Sequence, residues 1–315
     1  MGYLQVSDEE ISLVTPILQR LVWADKETRA KIQKAGVIVL PCDYYSNIPS
    51  IEEIENSYEY TSAEPPYLNA PIFDEHIILQ TLEKISQFSD EFNPPLGGDE
   101  ENGQEFFWKN NWFSNSDAMA YYCFVRWLKP ATIVEIGAGF STLVALEAME
   151  KNQSGSVHCI DPFPRKFLIN DERIALHSVK AQEIDAGFLN DTLQDGDMLF
   201  IDSTHTVKTG SDCLHIYLRL LPEICRNIFV HAHDVYLPFG LPKEWLLNLQ
   251  RFWTEQYLLL AFLIDNPKAS LIYGSKFNGR WYPERMDALM GGKYLRGGAS
   301  VWFKYNGNPN GNSRS

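Results

Sequence analysis

Between Thr132 and Asp265 one pattern recurs five times: a short apolar run, a turn, and a stretch with helical spacing. The runs are TIVEIG (Thr132–Gly137), SVHCID (Ser156–Asp161), IALHSV (Ile174–Val179), DMLFID (Asp197–Asp202) and NIFVHAHD (Asn227–Asp234). The stretches are Thr142–Lys151, Pro164–Asn170, Ile184–Leu193, Gly210–Leu221 and RFWTEQYLLLAFLID. Strands alternating with helices are the signature of a parallel sheet, because a parallel connection needs a crossover of about a dozen residues, and the crossovers then cover both faces. Two further candidate strands, ASLIYG and ASVWFK, follow. The expectation is an α/β fold, a doubly wound Rossmann-like seven-stranded sheet, with a helical and irregular N-terminal extension.

Upstream, Ile11, Val14, Ile17, Leu18, Leu21 and Val22 recur at helical spacing within Asp8–Lys34. The Pro- and Tyr-rich segment 36–69 reads as extended and irregular, and a helix is expected over Asp74–Phe88. The cluster NPPLGGDEENGQE looks like a linker. The expected domains are therefore 1–104, a lid or acceptor-binding region, 105–305, the cofactor-binding domain, and a disordered tail at 306–315.

Composition narrows the partners. A net charge of −14 argues against nucleic acid, whose binding needs a basic face. No apolar run is long enough for a bilayer, and the start lacks a basic region followed by an apolar one, so a cytoplasmic chain with no membrane partner is expected. The five cysteines form no CxxC pair and read as free thiols. A homodimer is left open.

The first strand runs into Gly137 and Gly139, which allow a close backbone approach to a ligand. A dinucleotide fingerprint would place a third glycine where Thr142 stands, and Glu135 is an awkward neighbour for a pyrophosphate. An acid there suits a cationic ligand such as S-adenosylmethionine. Asp161 at the next strand end suits ribose hydroxyls; Gln182 or Glu183 could reach an adenine edge; Asp202 ends the fourth strand.

The segments VEIGAGFSTLVALEAM, CIDPFP, DGDMLFIDSTHTVKTGSD and VHAHDVYLPFGLPKEW resemble the class I S-adenosylmethionine-dependent methyltransferases, in particular a bacterial small-molecule branch with an IDSSH-type fourth strand. The likeness extends from about Phe106 to Lys304. It implies S-adenosylmethionine as cofactor, with Glu135, Gly137, Ala138, Gly139 and Ser141 around the methionine end, Asp161 on the ribose, Gln182 and Glu183 at the adenine, and Asp202 and Asn115 completing the set, Asp117 closing over it beside Asn115. The implied reaction is methyl transfer to an oxygen or nitrogen of a small molecule, such as a natural-product or amino-acid-derived acceptor.

Methyl transfer from a sulfonium is an in-line displacement that needs a base only when the acceptor is protonated. His205 or His233 is the candidate base, oriented by Asp202 or Asp234. Strand alternation puts His231 and His233 on one face and Asp234 on the other, so a bend is needed to join them; His231 reads as a core histidine. Asp202, His205, His233 and Asp234 are also a candidate metal-ligand set. Val235 follows Asp234 where catechol-type relatives carry Asn, which speaks against magnesium. Tyr44, Tyr45, Tyr58, Tyr60, Trp281 and Tyr282 are candidates to line an acceptor pocket. The rival readings are a nicotinamide-dependent oxidoreductase, a metal-dependent hydrolase and a non-catalytic cofactor-binding module.

Overall fold

The computed structural model describes residues 4–308. Two compact units emerge, one ending at Tyr60 and one beginning at Thr61. The first contains α1 (Asp8–Val22), α2 (Lys26–Lys34) and α3 (Ile51–Asn56). Ser7 and Ser50 each form a capping box with the glutamate three residues on, Glu10 and Glu53. The second of these explains why the 36–69 segment is not wholly irregular: SIEE is a helix start, and the short α4 (Tyr58–Thr61) follows.

The second unit holds α5 (Glu75–Ser86), α6 (Asn115–Leu128), β1 (Thr132–Ile136), α7 (Phe140–Asn152), β2 (Ser156–Ile160), β3 (Ile174–His177), α8 (Ala186–Thr192), β4 (Met198–Ile201), α9 (Asp212–His215), α10 (Leu221–Glu223), β5 (Asn227–His233), α11 (Lys243–Leu249), α12 (Glu255–Leu263), β6 (Ala269–Gly274), α13 (Ser275–Trp281), α14 (Pro283–Met290) and β7 (Ser300–Asn306). The sheet order is β3-β2-β1-β4-β5-β7-β6. The first five are parallel, and β7 runs antiparallel to both β5 and β6. This is the expected doubly wound seven-stranded sheet. The chain winds outward through β1, β2 and β3, then returns to β4 on the other side of β1. The carboxyl ends of β1 and β4 therefore flank the topological switch point, where such sheets bind ligands.

Alternation along the strands divides the core. Ile133, Met198 and Phe200 pack with α6 and α7 on one face, while Val134, Ile136, Leu199 and Ile201 pack with residues of α8, α9 and α12 on the other. Glu135 shares the face of Ile133, so it points beneath α6 and α7.

Three boundaries differ from expectation. The break falls at Tyr60, not near 104, because α5 packs on β6 and α6 and buries Ile78, Leu82 and Ile85 in the sheet's core. The Pro, Gly and acid cluster is a loop within the second unit. Pro164–Asn170 is only a 3-10 turn at Lys166–Leu168. Asn306 belongs to β7, paired with Asn227, and the Gly307 and Asn308 amides donate to Arg226 and Ile224. The rest of the expected tail, 309–315, lies outside the described residues.

Candidate functional site

A cleft of about 860 Å³ opens at the carboxyl ends of β1, β4 and β5. Gly137, Ala138, Gly139 and Ser141 form one wall, with Asp161, Asp202, His205, His233 and Asp234 around them. Gly137 has φ +88°, and a Cβ there would lie 2.0 Å from the Asp202 carbonyl oxygen, so only glycine fits between β1 and β4.

The amides of this turn are already committed. Gly137 donates to the Ile160 carbonyl (2.9 Å), Ala138 to Asp161 Oδ2 (3.1 Å) and Gly139 to Thr142 Oγ1 (3.1 Å). A pyrophosphate would need such amides free. The turn offers instead a close backbone surface beside a carboxylate, which fits an uncharged or cationic ligand. Asp161 also accepts the Phe163 amide (2.7 Å) at Oδ1 and is only half-buried, so each oxygen keeps a lone pair on the cleft side for hydroxyl donors. The donor set thus suits S-adenosylmethionine, whose methyl group on sulfur is the electrophile it supplies when bound.

Glu135 is not in the cleft. It is fully buried, accepting Thr142 Oγ1 at 2.5 Å and Tyr121 Oη at 2.9 Å. Burial raises its carboxyl to about 7, against the pull of those two bonds. It fastens the turn to α6 and α7 from below rather than facing a cation. Gln182 and Glu183 also fall outside the cleft lining: Gln182 donates to the Gly210 carbonyl (3.1 Å), and Glu183 accepts the Lys180 amide (3.1 Å). A 3-10 turn spends both side chains on local bonds. Asn115 does line the cleft, held at φ +56° where α6 begins.

The expected bend is present. Asp234 leaves β5 at φ +55° and His205 leaves β4's loop at φ +57°, and these two left-handed residues turn their side chains inward. His205 is pinned on both sides. Thr204 donates to Asp212 through its amide (3.0 Å) and hydroxyl (2.7 Å), while the Thr254 and Glu255 amides reach the His205 carbonyl at 2.8 and 3.1 Å. The result joins four side chains: His205 Nε2 lies 3.2 Å from Asp202 Oδ1 and 3.7 Å from Asp234 Oδ2, and His233 Nδ1 lies 3.4 and 3.9 Å from the same oxygens.

Two acids stand behind the histidines. Glu255 Oε2 meets His205 Nδ1 at 2.7 Å, and Asp117 Oδ2 meets His233 Nε2 at 3.4 Å. Both are buried. Burial disfavours charged imidazole, yet the bonds to Asp202 and Glu255 hold His205 up at about 10; the charges of Asp234 and Asp202 and the bond to Asp117 raise His233 well above its ordinary value. Despite partial desolvation in the cleft, Asp202 is held far below the carboxylate range by His233 and His205. Asp234 is raised, first by burial. With both ring nitrogens of each histidine facing carboxylates, neither is a free base of the kind expected.

Asp117 lines the cleft with Asn115. It is buried beneath Gly298, taking the Ser275 hydroxyl (2.5 Å) and the Ala299 amide (2.7 Å). His231 is the expected core residue, stacked on Trp302 and paired with Ser300 Oγ at 2.9 Å rather than with a backbone group. Glu255 escaped the sequence reading because an acid opening a helix looks like an ordinary dipole partner. Aromatic lining also comes from other places: Trp112, Phe163, Tyr236, Trp245 and Trp253 face the cleft, whereas Trp281 and Tyr282 pack against Phe277.

Residues 134–235 match a family model described as "Methyltransferase domain". An uncharacterized protein of Archaeoglobus fulgidus is 33% identical over 142 residues, covering 43% of this chain and 63% of that protein. The chain therefore spans less than two thirds of that relative's length. Among solved structures, a putative O-methyltransferase from Klebsiella pneumoniae is 12% identical with a TM-score of 0.37, covering 75% of this chain and 91% of its own. The O-methyltransferase TomG of Streptomyces achromogenes, solved with S-adenosylmethionine, is 14% identical with a TM-score of 0.38, covering 76% and 92%. The segment 134–235 is thus similar to a methyltransferase domain, and it lies in the doubly wound seven-stranded sheet expected from the sequence. No described helix is long and apolar enough to cross a membrane.

Proposed function

We propose that this protein transfers a methyl group from S-adenosylmethionine to an oxygen or nitrogen of a small molecule. The observation that carries the reading is the commitment of the Gly137, Ala138 and Gly139 amides to Ile160, Asp161 and Thr142, which leaves none of these three for a pyrophosphate and sets a carboxylate beside the turn. The same observation disfavours a nicotinamide cofactor.

In this reading Gly137, Ala138, Gly139 and Ser141 orient the methionine end, Asp161 takes the ribose hydroxyls, and Asn115 lies at the far wall. The acceptor enters between the aromatic side chains of Trp112, Tyr236, Trp245 and Trp253, which exclude water and hold it in line for displacement. Its proton passes to Asp234, the acid of the cluster edge whose proton affinity is raised. Asp202 and Asp234 keep 32% and 24% of their side-chain surface open, against 7% for each histidine, so the acids meet the acceptor and the histidines orient them.

The test is calorimetry on the purified chain. S-adenosylhomocysteine should bind with one site per chain while NADH shows no heat of binding. Binding of NADH in preference to S-adenosylhomocysteine would sink the reading.

A further inference from the structure

The four-residue cluster is arranged as a set of metal ligands rather than as a hydrogen-bonded pair. Metal bonds of 2.0–2.2 Å to nitrogen and oxygen place neighbouring ligand atoms about 3.0–3.5 Å apart. The four histidine-to-aspartate separations are 3.2, 3.4, 3.7 and 3.9 Å; His205 stands outside the tightest group and reaches it through its contacts with the two aspartates. One ligand atom each from Asp202, His233 and Asp234 already lies within 4.8 Å of the other two.

An independent feature lies behind the imidazoles. A metal-bound histidine characteristically gives its other ring N–H to a carboxylate, which fixes the tautomer and aims the free nitrogen at the ion. Both histidines are backed this way, by Glu255 and by Asp117. The backing acids are themselves held: Tyr217 Oη donates to Glu255 at 2.7 Å, and Ser275 and the Ala299 amide donate to Asp117. A simple ion-pair network does not require a second, buried carboxylate behind each ring. It is also unlike the other histidine pair of this chain, His158 and His177, which face each other at 3.4 Å with no carboxylate at either ring.

We propose that Asp202, Asp234, His205 and His233 bind one divalent first-row transition ion, with Glu255 and Asp117 as positioning residues. Two imidazole nitrogens beside two carboxylate oxygens favour ions such as manganese, iron, cobalt or zinc over magnesium, which prefers an all-oxygen shell. The exposed edges of Asp202 and Asp234 leave the ion's remaining positions toward the cleft, where an oxygen of the acceptor would complete the shell. The ligand set stands on geometry and does not depend on the methyl-transfer reading; only the acceptor contact does.

Untagged protein stripped with a chelator is titrated with cobalt(II), followed by visible absorbance and by metal analysis after gel filtration. One cobalt per chain is expected, with a ligand-field band that is lost in Asp202→Asn and Asp234→Asn. Asp117→Asn and Glu255→Gln should each weaken binding roughly 10- to 100-fold while retaining the band. His158→Ala should bind like the parent. Absence of saturable binding to the parent protein overturns the proposal, as does binding that survives both aspartate substitutions or disappears in His158→Ala. Calorimetry with S-adenosylhomocysteine on the same samples separates this outcome from failure of the cofactor reading.

Discussion

Thr142 Oγ1 donates to Glu135 at 2.5 Å while accepting the Gly139 amide at 3.1 Å, so a single hydroxyl ties the glycine turn to the buried acid beneath it. The residue standing where a dinucleotide fingerprint has its third glycine thus has a structural task of its own. Thr142→Val keeps the shape and removes the hydroxyl, leaving a buried amide and a carboxylate oxygen short of partners. The expected loss is about 1–3 kcal/mol of stability by urea denaturation, with weaker S-adenosylhomocysteine binding. An unchanged midpoint would rule out this role for the hydroxyl.

Glu135 should give the fold an unusual pH dependence. Its carboxyl is raised from 4.5 to about 7 in the folded chain, so between those values the unfolded chain loses the proton first. The stabilisation is complete below pH 4.5, declines as pH rises and is gone above about 7. Its size is at most about 3.5 kcal/mol at ~1.4 kcal/mol per unit. Because other acids titrate nearby, the measurement is the difference between the parent and Glu135→Gln across pH 4.5 to 8. The two curves should have different slopes in that window and run parallel above it.

The two glycines of the turn should respond oppositely to alanine. Gly137→Ala puts a methyl 2.0 Å from the Asp202 carbonyl at φ +88°, so thermal denaturation should show a loss of several °C or failure to fold. Gly139 has φ 177°, outside the left-handed region, and the nearest neighbour of an added Cβ would be Arg165 Cγ at 4.0 Å. Gly139→Ala should therefore melt like the parent but bind S-adenosylhomocysteine less tightly, the methyl entering the cleft. Equal melting of both variants contradicts the packing described.

Asp161→Ala removes a carboxylate that holds two backbone amides and faces the cleft. Affinity for S-adenosylhomocysteine should fall about 10- to 100-fold, the equivalent of ~1.5–3 kcal/mol for charged hydrogen bonds. Gln182→Ala, outside the cleft lining, should leave affinity within about twofold. Reversal of that order would restore the adenine role to Gln182.

The sheet was legible because its information is local. Each strand is a short, mostly apolar run ended by a turn, and the observed ends lie within two residues of those read from TIVEIG or NIFVHAHD. The glycine turn and the acids at strand ends were legible for the same reason, since chain order along a doubly wound sheet places them at one edge. Adjacency of β4 and β5 then brings Asp202, His205, His233 and Asp234 together.

Burial and partner choice were not legible. Glu135 reads as an acid beside a ligand turn, but only the packing of α6 and α7 over that face shows it sealed beneath Tyr121 and Thr142. Gln182 and Glu183 sit at the expected strand end, yet a short turn spends them locally. Glu255 and Asp117 approach the histidines from 50 and 116 positions away in the chain, and neither carries a signal of that destination.

The sequence by itself determined the alternation of strand and helix, the glycine turn and the row of acids at the strand ends, because these follow from periodicity and backbone sterics over a few residues. Only the tertiary structure decided which acids face the cleft, which support it from behind, and that Asp234 and His205 bend inward. Those properties depend on solvent access and on distant backbone anchors, which exist only once α6, α12 and the loop before β7 are in place.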